Sequence, residues 1–174
     1  MVMYPSGYVT PMSATSTHKH VSKVSLPDDR SILIERTLDA PRALVFKACT
    51  DGELRKKWWG LRSSKTIVSE FDLRVGGKWR TVFKAADGSQ DAFHGEIREF
   101  KVPEKIVQTF VYEGFPDAMA VETSVLKEHK GKTTMTTTVL HQSKENRDGH
   151  LHSGMEGGMN ETFDRLDELL TELQ

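Results

Sequence analysis

The stretch from His150 to Gln174 constrains the fold of this chain more than any other. At helical spacing it aligns Leu151, Met155, Met159, Phe163, Leu166, Leu170 and Leu173 on one stripe, with Glu156, Glu161, Asp164, Arg165, Asp167, Glu168 and Glu172 mostly off it. The spacing predicts one continuous C-terminal helix, about 30 to 35 Å long. A stripe of that length needs a partner surface to match, and the rest of the chain must supply it. The stripe also changes along its length. Its second half is Phe and Leu, whereas its first half is Met with Gly154, Gly157 and Gly158 alongside. A glycine in a helix interior costs about 1 kcal/mol relative to alanine. Something besides propensity must therefore hold the first half in place.

The material for the partner surface lies upstream. From Ser31, the residues Ile32, Ile34 and Arg36 alternate with Leu33, Glu35 and Thr37, the period of a strand. Asp39-Ala40-Pro41 then closes the strand and opens a short helix capped near Asp39 or Ala40, with Leu44, Val45, Ala48 and Cys49 facing inward. Asp51 caps a second short helix from Gly52 to Trp58, ending at Gly60. Six strands are expected next, over 66–71, 78–84, 92–100, 105–112, 118–127 and 132–141, parted by turn signals such as Gly76-Gly77, Asp87-Gly88 and Lys130-Gly131. Strands joined by tight turns make an antiparallel meander, and only the C-terminal helix is long enough to cover it. The class is α+β. Ser, Thr, Pro, Gly and His dominate residues 1–29, where no acid precedes Asp28 and no apolar period is found. That stretch is expected to be a flexible tail, with 30–174 forming a single domain.

Several functions are disfavoured by composition. A net charge of −1 over 174 residues argues against a nucleic-acid surface or a polybasic membrane anchor. The single Cys49 rules out an intramolecular disulfide and a cysteine-rich zinc site. With no apolar run long enough to span a membrane and no secretion signal, the expectation is a soluble, cytoplasmic protein. His94, His141, His150 and His152 lack the spacing of a zinc motif, so no metal or other cofactor is expected. Glu70, Asp72, Glu96, Glu122 and His94 are the acid–base candidates, but their spacing pairs no two of them, and structural or solvated roles are expected. Cys49 has no His or Asn at a diagnostic offset and reads as a small buried hydrophobe.

Strand parity gathers Trp79, Thr81, Phe83, Phe110, Tyr112, Met119, Met135 and Thr137 on one face, opposite Met155, Met159 and Phe163 of the helix. Trp59 fits a pocket wall or mouth. Aromatics, methionines and a few hydroxyls describe a small-molecule pocket and equally describe an ordinary core.

A family resemblance bears on that choice. Glu35-Arg36-Thr37-Leu38-Asp39-Ala40-Pro41, Lys57-Trp58-Trp59-Gly60, Asp72-Leu73-Arg74-Val75-Gly76-Gly77-Lys78-Trp79, His94-Gly95-Glu96-Ile97, Pro103-Glu104-Lys105-Ile106-Val107 and Met155-Glu156-Gly157-Gly158-Met159 occur in order. In that order and spacing the chain resembles the activator of heat-shock protein 90 ATPase homologue family of the START-like (SRPBCC) superfamily. The resemblance implies a helix-grip fold, a curved antiparallel sheet wrapped around a long C-terminal helix, with two short helices after the first strand. It also implies a cavity between sheet and helix that takes a hydrophobic small molecule or lipid. Trp59, Trp79, Phe83, Phe110, Tyr112, Met119, Met135, Thr137, Met155, Met159 and Phe163 are the expected lining. Met159 stands where the family commonly carries Trp, which implies a softer wall. The leading expectation is a binding module, monomeric or weakly dimeric. Alternatives are a co-chaperone-like partner of a heat-shock protein 90 homologue, linked to stress response, and a pocket enzyme of the cyclase or hydrolase type.

Overall fold

The computed structural model describes residues 20–174. Eight strands, β1 (Lys23–Ser25), β2 (Ser31–Leu38), β3 (Ser64–Phe71), β4 (Lys78–Ala85), β5 (Gln90–Lys101), β6 (Lys105–Tyr112), β7 (Ala120–His129) and β8 (Lys132–His141), form one antiparallel sheet ordered β1-β2-β8-β7-β6-β5-β4-β3. The meander runs from β3 to β8, and β2 closes onto β8 with Ile34 opposite Thr137 and Arg36 opposite Met135. Helices α1 (Arg42–Thr50) and α2 (Gly52–Trp58) fill the crossover from β2 to β3. Asp51 sets the start of α2, its Oδ1 accepting from the amides of Glu53 and Leu54 at 2.9 and 3.0 Å. The cap of α1 is Pro41, one residue past the expected position, and no side chain supplies it.

The C-terminal helix departs from expectation. It is two helices, α3 (Lys144–Leu151) and α4 (Met155–Glu172), parted at His152–Gly154. Ser143 caps α3, accepting from the amide of Asn146 at 3.1 Å, so helix begins well before His150. Gly154 has φ 82°, a left-handed conformation that ends one helix direction and starts another. The stripe also stops sooner than its period implies. Leu166, Leu169 and Leu170 are buried, but Leu173 is exposed at the C-cap.

Order also begins upstream of residue 30. β1 pairs with β2, and the Ser22 amide donates to Asn160 Oδ1 of α4 at 3.2 Å. Residues 20–29 thus join the sheet and clasp the helix, whereas residues 1–19 of the expected tail lie outside the described residues.

Two apolar clusters hold α4 to the sheet. The larger unites Leu38, Val45, Phe46, Trp58, Trp79, Ile97, Leu126, Met135, Leu166 and Leu170; the smaller unites Ile32, Ile34, Ala120 and Val139 with Leu151, Met155 and Met159 against it. Phe163 touches both. Arg36 is fully buried at the junction and donates from Nη2 to Asp164 at 2.9 Å and to Asp167 at 2.6 Å. At the other flank of α4, Arg165 donates to the backbone oxygens of Gly60 and Lys57 at 2.7 and 2.8 Å, tying the helix to the carbonyl end of α2.

Candidate functional site

On the concave face, side chains of β4, β5 and β6 make an aromatic wall. Trp59 follows α2 directly and lies edge-on to Trp79, with centroids 5.7 Å apart, and next to Phe83 and Phe93 at 5.3 and 5.7 Å. Phe93 continues to Phe110 at 5.4 Å and to Tyr112 at 5.1 Å. Backbone geometry makes room for this wall. A Cβ on Gly95 would sit 1.9 Å from the Thr109 oxygen and 2.4 Å from Trp79 Nε1, in the place of the 3.2 Å bond that the indole donates to Thr109. Gly60, at φ 109°, passes close under the Phe83 ring.

The expected lining divides by this geometry. Trp79 and Met135 are core, and Thr137 spends its hydroxyl on Ser124 Oγ at 2.8 Å. Met155 and Met159 pack on the Ile32–Val139 cluster, which sits on β2, β8 and β7, away from the aromatic wall on β4 to β6 along the strand order. Met119 is half-buried in the connection before β7. Trp59, Phe83, Phe110 and Tyr112 are brought together in the wall, where Phe93 is a member that strand parity could have named beside Thr81.

The centre of the concave face is polar. Gln108 of β6 and Glu122 of β7 are paired in register, and Gln108 Nε2 donates to Glu122 Oε2 at 2.9 Å. Glu122 is half-buried, as are Gln108, Phe93 and Phe110, so this part of the concave face keeps accessible surface. Burial pushes the Glu122 carboxyl above its ordinary range, against the opposing pull of the Gln108 bond and the Arg55 charge.

Arg55 enters this region from α2. Its guanidinium stacks over Trp59, Phe71 and Trp79, at 4.6, 5.2 and 5.4 Å from the ring centroids. Burial lowers its pKa to about 10, with Cys49 and Glu122 opposing the shift, so the group remains a cation at neutral pH. Cys49, enclosed beside it, is pushed up to about 11 and stays a thiol.

A histidine pair from α3 and β8 lies against Phe110. His141 Nδ1 faces the Arg30 carbonyl at 3.2 Å, which can only accept, so in the neutral ring that nitrogen carries the proton. His141 Nε2 then accepts from His150 Nδ1 at 3.0 Å. The His150 ring stacks on Phe110, centroids 6.1 Å apart and nearly parallel. Burial, followed by the His141 charge, lowers the His150 pKa to about 4, and burial lowers that of His141 as well.

The remaining acid–base candidates face outward. His94 and Arg80 share Glu113, which is held at about 2 chiefly by the Arg80 bond. Glu96 pairs with Lys78, Asp72 pairs with Arg74, and Glu70 is exposed. Among the described residues, no three His, Cys, Asp or Glu side chains gather as a metal site, and no helix is long and apolar enough to cross a membrane. Glu122 alone of the five candidates faces inward. Its alternation with Ala120, Ser124 and Leu126 is the sequence signal that marks it.

Solved structures show the same fold. A Rhodobacter sphaeroides protein superposes with a TM-score of 0.81 at 22% identity, covering 87% of this chain and 99% of its own. A Mycobacterium smegmatis protein gives 0.77 at 25% identity, covering 86% and 96%. A Staphylococcus epidermidis protein gives 0.75 at 25% identity, covering 87% and 95%. A search of curated proteins finds no match. Residues 39–171 match the family described as Activator of Hsp90 ATPase homolog 1-like protein, a span from the start of α1 to the end of α4, and the chain belongs to that family.

Proposed function

We propose that a hollow lies between the concave sheet and the α3–α4 pair, and that this protein binds one largely apolar small molecule there. The reading rests on one observation above the others: Phe93, Phe110, Gln108 and Glu122 point to the interior and still keep accessible surface. Filled cores leave few voids larger than a water molecule, and interior aromatic walls with a few polar groups are the usual lining of ligand sites. Binding fits better than turnover. Cys49 is held as a thiol and His150 as a neutral, weak base, so both are set to hydrogen-bond at neutral pH and not to exchange protons.

Titration with an environment-sensitive apolar dye, followed by displacement with fatty acids, sterols and planar aromatics, tests the reading. One saturable site per chain, emptied by at least one class, is expected. Dye uptake that never saturates would remove the proposal. The family description also carries a second reading, a co-chaperone-like partner of a heat-shock protein 90 homologue. Stimulation of that ATPase in a coupled assay would support it; no stimulation together with no pull-down would dispose of it.

A further inference from the structure

Arg55, Thr81 and Glu122 carry donors and acceptors that the described residues leave partly unsatisfied. Among the described residues the Arg55 guanidinium makes one hydrogen bond, from Nη1 to the Cys49 carbonyl at 3.2 Å, and its Nε is buried with no partner. Arg55 is 6% exposed, and no carboxylate among the described residues forms an ion pair with it. The only hydrogen bond to Glu122 among the described residues is the one from Gln108, on Oε2. The Thr81 hydroxyl, between Trp79 and Phe83 on the aromatic wall, is buried and also unpartnered. Arg55 and Glu122 feel one another's charge but do not touch.

Leaving a buried charge unpaired is expensive, and a helix-to-sheet contact of this size is usually made with apolar side chains or with a closed ion pair. A cation and a carboxyl held apart across one interior space describe a receptor whose missing member lies between them. The aromatic rings hold the guanidinium in place and leave its N–H edge for an acceptor.

We propose that Arg55, Glu122 and Gln108 form the head-group end of the hollow, and that the ligand is an amphipathic carboxylic acid whose tail lies along the Phe93–Phe110 wall. One head-group oxygen accepts from Arg55. The other holds a proton in common with the Glu122 carboxyl, which Gln108 orients. Two carboxyls with one shared proton carry a single negative charge, and Arg55 cancels it. The interior thus becomes neutral on binding. Cys49, beside Arg55, stays a thiol and leaves that balance intact. This inference rests on the binding proposed above and adds the chemistry of the ligand head.

The test displaces an apolar dye from the full chain with decanoic acid and with naphthylacetic acid, each beside its primary amide and its alcohol. The acids are expected to compete at concentrations at least about tenfold below the amides and alcohols, the size of one hydrogen bond to a charged group. Arg55→Met, which removes the cation, should erase that preference and leave the alcohols unchanged. Glu122→Leu, which can share no proton with the acid, should also reduce it and stands alone if the Arg55 variant does not fold. Equal competition by acid, amide and alcohol would overturn the head-group assignment and leave the binding reading standing. An acid preference that survives Arg55→Met and Glu122→Leu would also overturn it. No displacement by any of them, with no saturable dye site, would remove both.

Discussion

Glu122 is a residue whose burial weakens the fold while the proposed site uses it. Its folded-state pKa is raised above the ordinary 4.5, so above that pH the unfolded chain releases a proton that the folded chain still holds. Stability from this group therefore falls as pH rises through the window between the two values. Glu122→Gln cannot titrate. The variant should melt higher than wild type at neutral pH and alike below pH 4.5, as read by thermal melts across pH; a lower neutral Tm would contradict the account. The histidines act with the opposite sign. His150 is shifted from 6.5 to about 4, so the unfolded chain gains a proton between those values that the folded chain refuses. Stability is full above pH 6.5 and is lost as pH falls toward 4, by up to about 3 kcal/mol from this ring. His150→Leu should flatten that limb in denaturant titrations between these pH values, and losses parallel to wild type would count against it. At this scale the sequence was only partly legible. Phe83, Phe110 and Tyr112 could be read from parity, because an aromatic wall repeats every second residue, and Trp59 from its large amphipathic ring. Arg55 could not. It lies on a short helix among Lys56 and Lys57, and only tertiary packing turns it inward while its neighbours stay exposed.

At the scale of elements, the break between α3 and α4 carries the most consequence. The apolar period runs unbroken through Leu151, Met155 and Met159, and periodicity alone cannot register one left-handed glycine at the joint. The capping signal of Ser143 followed by Asn146 and the Gly154 punctuation were present, but the longer stripe outweighed them. Gly157 and Gly158 are not required by close packing. A Cβ on Gly157 would meet nothing within 4 Å, and one on Gly158 would meet only Leu61 Cδ2 at 3.5 Å. Gly157→Ala should therefore stabilise the protein by about 1 kcal/mol, a rise in Tm of about 2–4 °C, because only helix propensity changes. Gly154→Ala should destabilise it by about 1–2 kcal/mol, because a Cβ is strained at φ 82°. If the two substitutions shifted Tm in the same direction, the division between joint and helix would be wrong. Slower dye uptake in Gly157→Ala would tie the first half of α4 to entry into the proposed hollow.

Across the whole molecule, the curved sheet and its helix were legible because each rests on a repeated signal: period-2 strands, glycine turns, and an apolar stripe anchored by Leu166 and Leu170. The proposed hollow is not legible in the sequence, since a side chain that lines a space and one that packs a core obey the same parity. Met135 and Phe110 alternate inward alike, yet Met135 is core and Phe110 keeps accessible surface. The register of the strands with Arg55, Gln108 and Glu122 decides where packing stops. The most direct test of that reading is to fill the space. Phe93→Trp adds a ring to a half-buried side chain that faces it, and dye affinity and Tm are measured together on both proteins. If the hollow is the binding site, Phe93→Trp weakens dye binding by more than about tenfold, or about 1.4 kcal/mol, and leaves Tm unchanged. If the interior is packed, neither protein binds dye saturably, and the added ring costs the roughly 1–3 kcal/mol of an overfilled core and lowers Tm by several degrees.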